Sequence, residues 1–353
     1  MSDFFRNLAE DLKDEDTSIA ADGMGSAEYT GTVDTGSYIM NAVMSGSLYG
    51  GIPNNKITAF AGESSTGKTF FALSVIKQFL LDHPTGGCVY YDTEAAVTKE
   101  MMESRGLDTR RIIISEPQSI QRFRTHAIKT LEQYEKTPEK GRPPMMMVLD
   151  SLGILSTEKE LSDVSEGKDV RDMTKAQLVR GTFRVLTLKL AKTKVPMLVT
   201  NHVYEVIGSY VPMKEMGGGS GLKYAASSIA FLSKKKERDG RDVIGNIIKV
   251  KMFKSRLSKE NKEVECLLNY DTGLDRYYGL IELAVECGAW IQSANRIETE
   301  AGKVYPKVIL KDPEKYFTSD VMAKIEEFVG NKFSYGGDVV DDREDDPEQS
   351  DSE

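Results

Sequence analysis

The residues whose chemistry is easiest to name form one short run, Gly62-Glu63-Ser64-Ser65-Thr66-Gly67-Lys68-Thr69. Glycine, four residues, then Gly-Lys-Thr is the pattern of a phosphate-binding loop. In such a loop the backbone N–H groups around Gly62, Ser65, Thr66 and Gly67 turn inward and cradle phosphates, and the following helix N-terminus favours anions. Lys68 is placed to reach the β- and γ-phosphates, and the Thr69 hydroxyl to ligate Mg²⁺. The loop needs a strand before it and a helix after it. The β-rich run Ile57 to Ala61 and the helical spacing of Phe70, Phe71, Leu73, Val75, Ile76, Phe79 and Leu80 supply both. The chain is therefore expected to bind a nucleoside triphosphate with Mg²⁺.

Three further polar residues end apolar strands. Asp150 follows Met145-Met-Met-Val-Leu149, a position from which a carboxylate can hold the metal shell, usually through water. Glu94 closes Val89-Tyr-Tyr-Asp-Thr-Glu94 and is the candidate to orient and deprotonate an attacking water. Asp92, two residues earlier, is the rival; Glu94 is preferred because it lies nearer the carboxyl end of the strand, where α/β sites sit. That strand is expected beside the phosphate-loop and Asp150 strands. His202 ends Val195-Pro-Met-Leu-Val-Thr-Asn-His202, directly before a glycine-rich stretch, and could pass contact with the γ-phosphate into it.

The elements that must position these residues can be read along the chain. Strands are predicted at 56–62, 87–93, 145–151, 195–201, 227–233, 245–253 and 262–270, and helices at 68–82, 98–105, 118–136, 168–193 and near 319–329. Short continuous apolar strands alternating with helices imply an α/β fold with a mostly parallel sheet covered on both faces. Residues 203–223 read as a long mobile loop. The expected organisation is an acidic, largely flexible segment at 1–28 that could contact a neighbouring protomer, a core at 29–276, a small α/β unit at 277–335 and a disordered acidic tail at 336–353.

Composition narrows the class. No apolar run among the 353 residues approaches the roughly 20 needed to span a membrane, and the N-terminus has no signal-peptide pattern. Cys88, Cys266 and Cys287 have no metal-like spacing and read as buried reduced thiols, which suits a cytoplasmic protein. The net charge of −9 is segregated: residues 1–28 carry −6, residues 338–353 carry −8, and the body between them is left at +5. A basic body with acidic ends suits a protein that meets an anionic polymer.

Taken in order, the phosphate loop, the Glu94 strand, the Asp150 strand and the Asn201-His202 strand resemble the core of RecA-type recombinases. Met216-Gly-Gly-Gly-Ser-Gly-Leu-Lys-Tyr-Ala-Ala-Ser227 looks like the end of that family's second DNA-binding loop, and its triple glycine most resembles the UvsX recombinases of T4-type tailed phages. Gly106-Leu-Asp-Thr-Arg-Arg-Ile-Ile is also similar, and the resemblance covers about 30–335. It implies a RecA-like ATPase core with Gly62, Lys68 and Thr69 in the phosphate loop, Glu94 as catalytic glutamate and Asp150 as metal-side aspartate. His202 stands where many relatives carry Gln. Lys254 and Arg256 match cations that reach a neighbouring subunit's ATP; cations supplied in trans can be worth about 10³–10⁵ in rate in GTPases. Met101 stands where relatives often stack an aromatic on adenine, and Tyr270 could compensate, so preference for ATP is implied by the family alone.

The resemblance also implies DNA contacts. Residues 156–180 offer Lys168, Arg171, Thr174, Lys175 and Arg180, of which Arg171 and Thr174 match family positions; Gly218, Gly219 and Ser220 match a segment whose backbone grips phosphates. Such contacts carry no sequence information and are salt-sensitive. The implied activity is a DNA-dependent ATPase that forms a helical filament on single-stranded DNA and pairs it with homologous duplex DNA, with a single-strand-binding protein and a recombination mediator as partners and the host cytoplasm as setting. Two alternatives share the core. A hexameric replicative helicase would normally carry a sizeable N-terminal domain and lack the glycine segment; a non-catalytic recombinase paralogue would be marked by loss of Glu94 or Lys68.

Overall fold

The computed structural model describes residues 3–12, 19–22, 28–168, 172–205, 214–234, 245–269 and 272–335. The elements are, in order, α1 (Asp3–Asp11), β1 (Thr32–Val33), α2 (Tyr38–Ser45), β2 (Ile52–Pro53), β3 (Ile57–Gly62), α3 (Lys68–Asp82), β4 (Gly87–Asp92), α4 (Lys99–Glu103), β5 (Ile112–Ser115), α5 (Ile120–Glu135), β6 (Met145–Asp150), α6 (Glu158–Ser165) and α7 (Lys175–Thr193). They continue as β7 (Met197–Glu205), β8 (Lys214–Met216), α8 (Ser220–Ala225), β9 (Ser228–Lys234), β10 (Gly245–Lys254), β11 (Glu263–Asn269), β12 (Gly273–Leu274), α9 (Leu280–Glu286), β13 (Ile291–Ser293), β14 (Arg296–Thr299), β15 (Gly302–Val304), α10 (Pro306–Lys311), α11 (Pro313–Tyr316) and α12 (Ser319–Phe333).

The main sheet has the order β12-β11-β10-β9-β3-β7-β6-β4-β5, with β8 paired to β7 off that path. Strands β9, β3, β7, β6, β4 and β5 run parallel, and β10 to β12 extend the sheet antiparallel. Every residue of β3 is buried, as a strand covered on both faces requires. One apolar layer packs α3 against one face through Phe71, Val75, Ile76 and Phe79, and continues without a break into Leu280, Trp290, Ile325 and Phe333 of the C-terminal elements. The other face is covered by α5 and α7 through Phe123, Leu131, Phe183 and Leu190. No helix among the described residues is long and apolar enough to cross a membrane.

Several expectations are corrected. The expected 168–193 helix starts only at Lys175, as α7, because Asp172 takes the Thr174 N–H and hydroxyl into a turn; α6, which was not anticipated, lies before it and starts on a Thr157/Glu160 capping box. Within 203–223, β7 runs on to Glu205 and β8 pairs back onto it, Val203 opposite Met216, before α8 forms; residues 206–213 lie outside the described residues. His202 therefore sits within a strand and not at its end. Strand β4, which leads into the turn carrying Glu94, lies beside β6, with β6 and β7 between it and β3. Helix α2, edge strand β5 and the small sheet β13-β14-β15 were not anticipated. Cys88 and Cys266 are buried as expected, but Cys287 is only partly so.

Candidate nucleotide site and nucleic-acid interface

The site is built at the carboxyl ends of β3, β7, β6 and β4. β3 delivers the loop, and α3 begins at Lys68 with Gly67 in the left-handed region at φ 83°. A side chain at Gly62 would place its Cβ 2.5 Å from the Leu232 carbonyl oxygen, so the loop can leave the sheet only through glycine. Ser65 also takes positive φ, and the Thr66 hydroxyl donates to the Glu63 carbonyl at 2.9 Å, closing the loop on itself. Lys68 Nζ lies back in the loop, donating to the carbonyls of Gly62 at 3.0 Å and Glu63 at 2.8 Å. Burial pushes its pKa below the ordinary lysine value, and the carboxylates of Glu94 and Asp150 partly offset that, which places all three groups in one field. Thr69 follows on the first turn of α3, half-buried.

Asp150, 4% exposed, ends β6. Its Oδ2 accepts from the Tyr90 hydroxyl at 2.7 Å, its Oδ1 accepts from the Thr200 hydroxyl, and the Asp150–Ser151 peptide is cis. Among the described residues no cluster of three or more His, Cys, Asp or Glu could hold a metal unaided. One buried carboxylate and one threonine hydroxyl beside a phosphate loop fit Mg²⁺ that arrives with the nucleotide and keeps several waters.

Glu94 sits on the turn after β4. Its Oε1 accepts from the Ser151 hydroxyl at 2.6 Å and lies 3.1 Å from His202 Nε2. Burial raises its pKa, but the hydrogen bonds of Ser151 and His202 and the charges of His202 and Lys68 outweigh it and hold the carboxyl below the ordinary range. Asp92 is occupied differently. Its carboxylate accepts from the backbone N–H groups of Glu94, Ala96 and Val97, so it shapes the turn that carries Glu94. His202 stands in register with Gly62 across the β3–β7 ladder, which sets it beside the start of the phosphate loop.

From His202 the structure leads directly to the glycine segment. Asn201 Nδ2 donates to the Gly217 carbonyl at 2.8 Å, and the Gly217 N–H donates to the His202 carbonyl at 2.9 Å. Gly218 and Gly219 take positive φ, and α8 then packs on α7 so closely that a Cβ on Gly221 would lie 2.8 Å from the Arg180 backbone. Arg180 Nη2 donates to the Ser220 hydroxyl at 3.1 Å. The two expected DNA segments thus meet. Within the first, the Thr174 hydroxyl donates to Asp172, Lys175 pairs with Glu160 at 3.7 Å and Lys168 with Glu166 at 2.6 Å. Arg171 and Tyr270 lie outside the described residues.

Lys254 ends β10, and its Nζ donates to the carbonyls of Lys223 and Ala226 at 2.8 and 2.7 Å, closing the end of α8. Burial lowers its pKa, and Arg256 nearby lowers it further. Arg256 stands close enough to Lys56 and Tyr29 to shift both. Met101, on α4, packs at the edge of the apolar layer. Sequence reasoning assigned no role to Ser151, Tyr90, Thr200 or Asn201; the first and last adjoin assigned residues, but nothing local tells which group each side chain meets.

The RecA N-terminal domain matches residues 13–275. The "Recombination and repair protein" of Enterobacteria phage T4 is 30% identical over 257 residues, 73% of this chain and 64% of that protein, so the match spans less than two thirds of that relative's length. "Protein RecA" of Chloroherpeton thalassium is 28% identical over 87% of this chain and 84% of its own length, and that of Deinococcus radiodurans 29% identical over 72% and 67%. The chain belongs to the RecA family, with that family's α/β fold.

Proposed function

We propose that the protein is a DNA-dependent ATPase that assembles on single-stranded DNA and promotes homologous pairing and strand exchange in recombination and repair. The observation that carries this reading is the path from the phosphate loop, whose Gly62 pairs in register with His202, through His202 with its Glu94 contact and Asn201, to the glycine segment packed on α7. Lys68 would hold the β- and γ-phosphates. Mg²⁺, held by Thr69 and Asp150, would neutralise phosphate charge. Glu94 would orient a water and take its proton as the water oxygen bonds to the γ-phosphorus; the bridging bond breaks and ADP leaves with its electron pair.

The Gly218–Ser220 backbone, with Arg171, Thr174 and Lys175 from the first segment, would grip DNA phosphates. DNA and γ-phosphate would then bias one element with two arrangements. Lys254 and Arg256 would act on the neighbouring protomer's ATP in the filament. The name of the phage relative, "Recombination and repair protein", favours recombination as the process served, and the +5 body favours an anionic polymer as partner. A single-strand-binding protein and a mediator are the expected accessory partners, in the cytoplasm of the host cell. The test is ATP turnover with and without single-stranded DNA. Stimulation by DNA that Lys68→Ala abolishes is expected; turnover indifferent to DNA would overturn the coupling.

A further inference from the structure

We propose that Tyr90 is a positioning residue for the metal-side carboxylate Asp150, fixing the plane in which that carboxylate meets the Mg²⁺ shell. The inference rests on the nucleotide-site reading above and assigns a role to a side chain which otherwise reads as core. Tyr90 is 0% exposed and packs among the apolar residues between the sheet and α3. Phenylalanine would satisfy that packing. A buried phenol needs a partner, and this one donates to Asp150 Oδ2 at 2.7 Å. On the other side of β6, the buried Thr200 hydroxyl of β7 donates to Asp150 Oδ1.

The carboxylate is thus held by one hydroxyl from each flanking strand, one on each oxygen. A carboxylate has about four acceptor sites. Two are filled from within the sheet, and the plane they define sets where the others point. Rotation about χ2, otherwise broad for an aspartate, is stopped at both oxygens. Outer partners of this kind commonly carry 10–100-fold in metal affinity.

The experiment is a Mg²⁺ titration of binding of a fluorescent ATP analogue to the full chain, for wild type, Tyr90→Phe, Asp150→Asn and the double variant, each with its melting temperature recorded. Tyr90→Phe is expected to raise the half-saturating Mg²⁺ by about tenfold, with affinity for the analogue in excess EDTA unchanged. Adding Tyr90→Phe to Asp150→Asn is expected to change nothing further, because the phenol acts through that carboxylate. A half-saturating Mg²⁺ within about twofold of wild type in Tyr90→Phe, or an equal additional shift on the Asp150→Asn background, would overturn the proposal and leave Tyr90 as packing. Wild type that binds the analogue no better than Lys68→Ala would instead overturn the nucleotide-site reading itself.

Discussion

Glu94 and Asp92 are two residues apart and chemically alike, yet their surroundings give them different work. Asp92 is consumed by three backbone N–H groups, whereas Glu94 faces Ser151, His202 and the field of Lys68. Glu94→Gln is therefore expected to keep ATP binding and lose about 10²–10⁴ in turnover, the usual worth of a positioned base. Near wild-type turnover in that variant would move the role to another group. The pH dependence follows from the same contacts. Burial alone would raise the Glu94 pKa, and the bonds of Ser151 and His202, aided by charge, reverse it. Removing His202 removes part of the lowering, so the Glu94 pKa rises and the acid limb of turnover moves to higher pH. In His202→Ala, an acid limb unmoved from wild type would show that His202 does not tune Glu94. DNA stimulation should also fall in His202→Ala, since that side chain joins Glu94 to the stretch of β7 whose His202 carbonyl and Asn201 amide hold Gly217.

Among the elements, α8 is where nucleotide and DNA segments are joined, and its seat is tight. Gly221→Ala would drive a methyl group against the Arg180 backbone, so α8 must lift from α7. Overpacking of this kind costs about 1–3 kcal/mol, and here it should show as weaker stimulation by DNA more than as lower basal turnover. Equal loss of both would mean that α8 serves the core and not the coupling. The same region shows why legibility in the sequence was uneven. Helix α3 matched its expected bounds of 68–82 because Gly67 and Pro84 bracket an apolar run, a purely local signal. The late start of α7 depends on Asp172 accepting from Thr174 and from Thr157, fifteen residues away, which periodicity does not carry. The β7–β8 pairing joins Val203 to Met216 across a glycine-rich stretch that reads as loop. Loop chemistry at Gly62–Thr69 was legible because the spacing itself is the chemistry. The partners of Ser151, Asn201 and Tyr90 follow from strand order, and that order differed from expectation at β4.

For the whole molecule the central question is assembly. Lys254 here donates to carbonyls at the end of α8 in its own chain, so reaching a neighbour's ATP requires exchanging those partners. Mixing Lys254→Ala with Lys68→Ala protein tests this. If the cation acts in trans, the intact ATP site of the first protein receives it from the second and turnover partly recovers; no recovery despite shown co-assembly would assign Lys254 to its own chain. Charge acts at the same scale. The segment 338–353 carries −8 against a +5 body, and interactions between exposed charges are screened beyond about 8 Å at physiological ionic strength. Ending the chain at Gly337 should tighten duplex DNA binding, most at low Mg²⁺; equal affinity across a Mg²⁺ series would assign the tail to another partner. The most direct test of the account is electron microscopy of the protein with single-stranded DNA and a non-hydrolysable ATP analogue. The account predicts continuous helical filaments that depend on both DNA and nucleotide; closed rings, or particles unchanged by either addition, would contradict it.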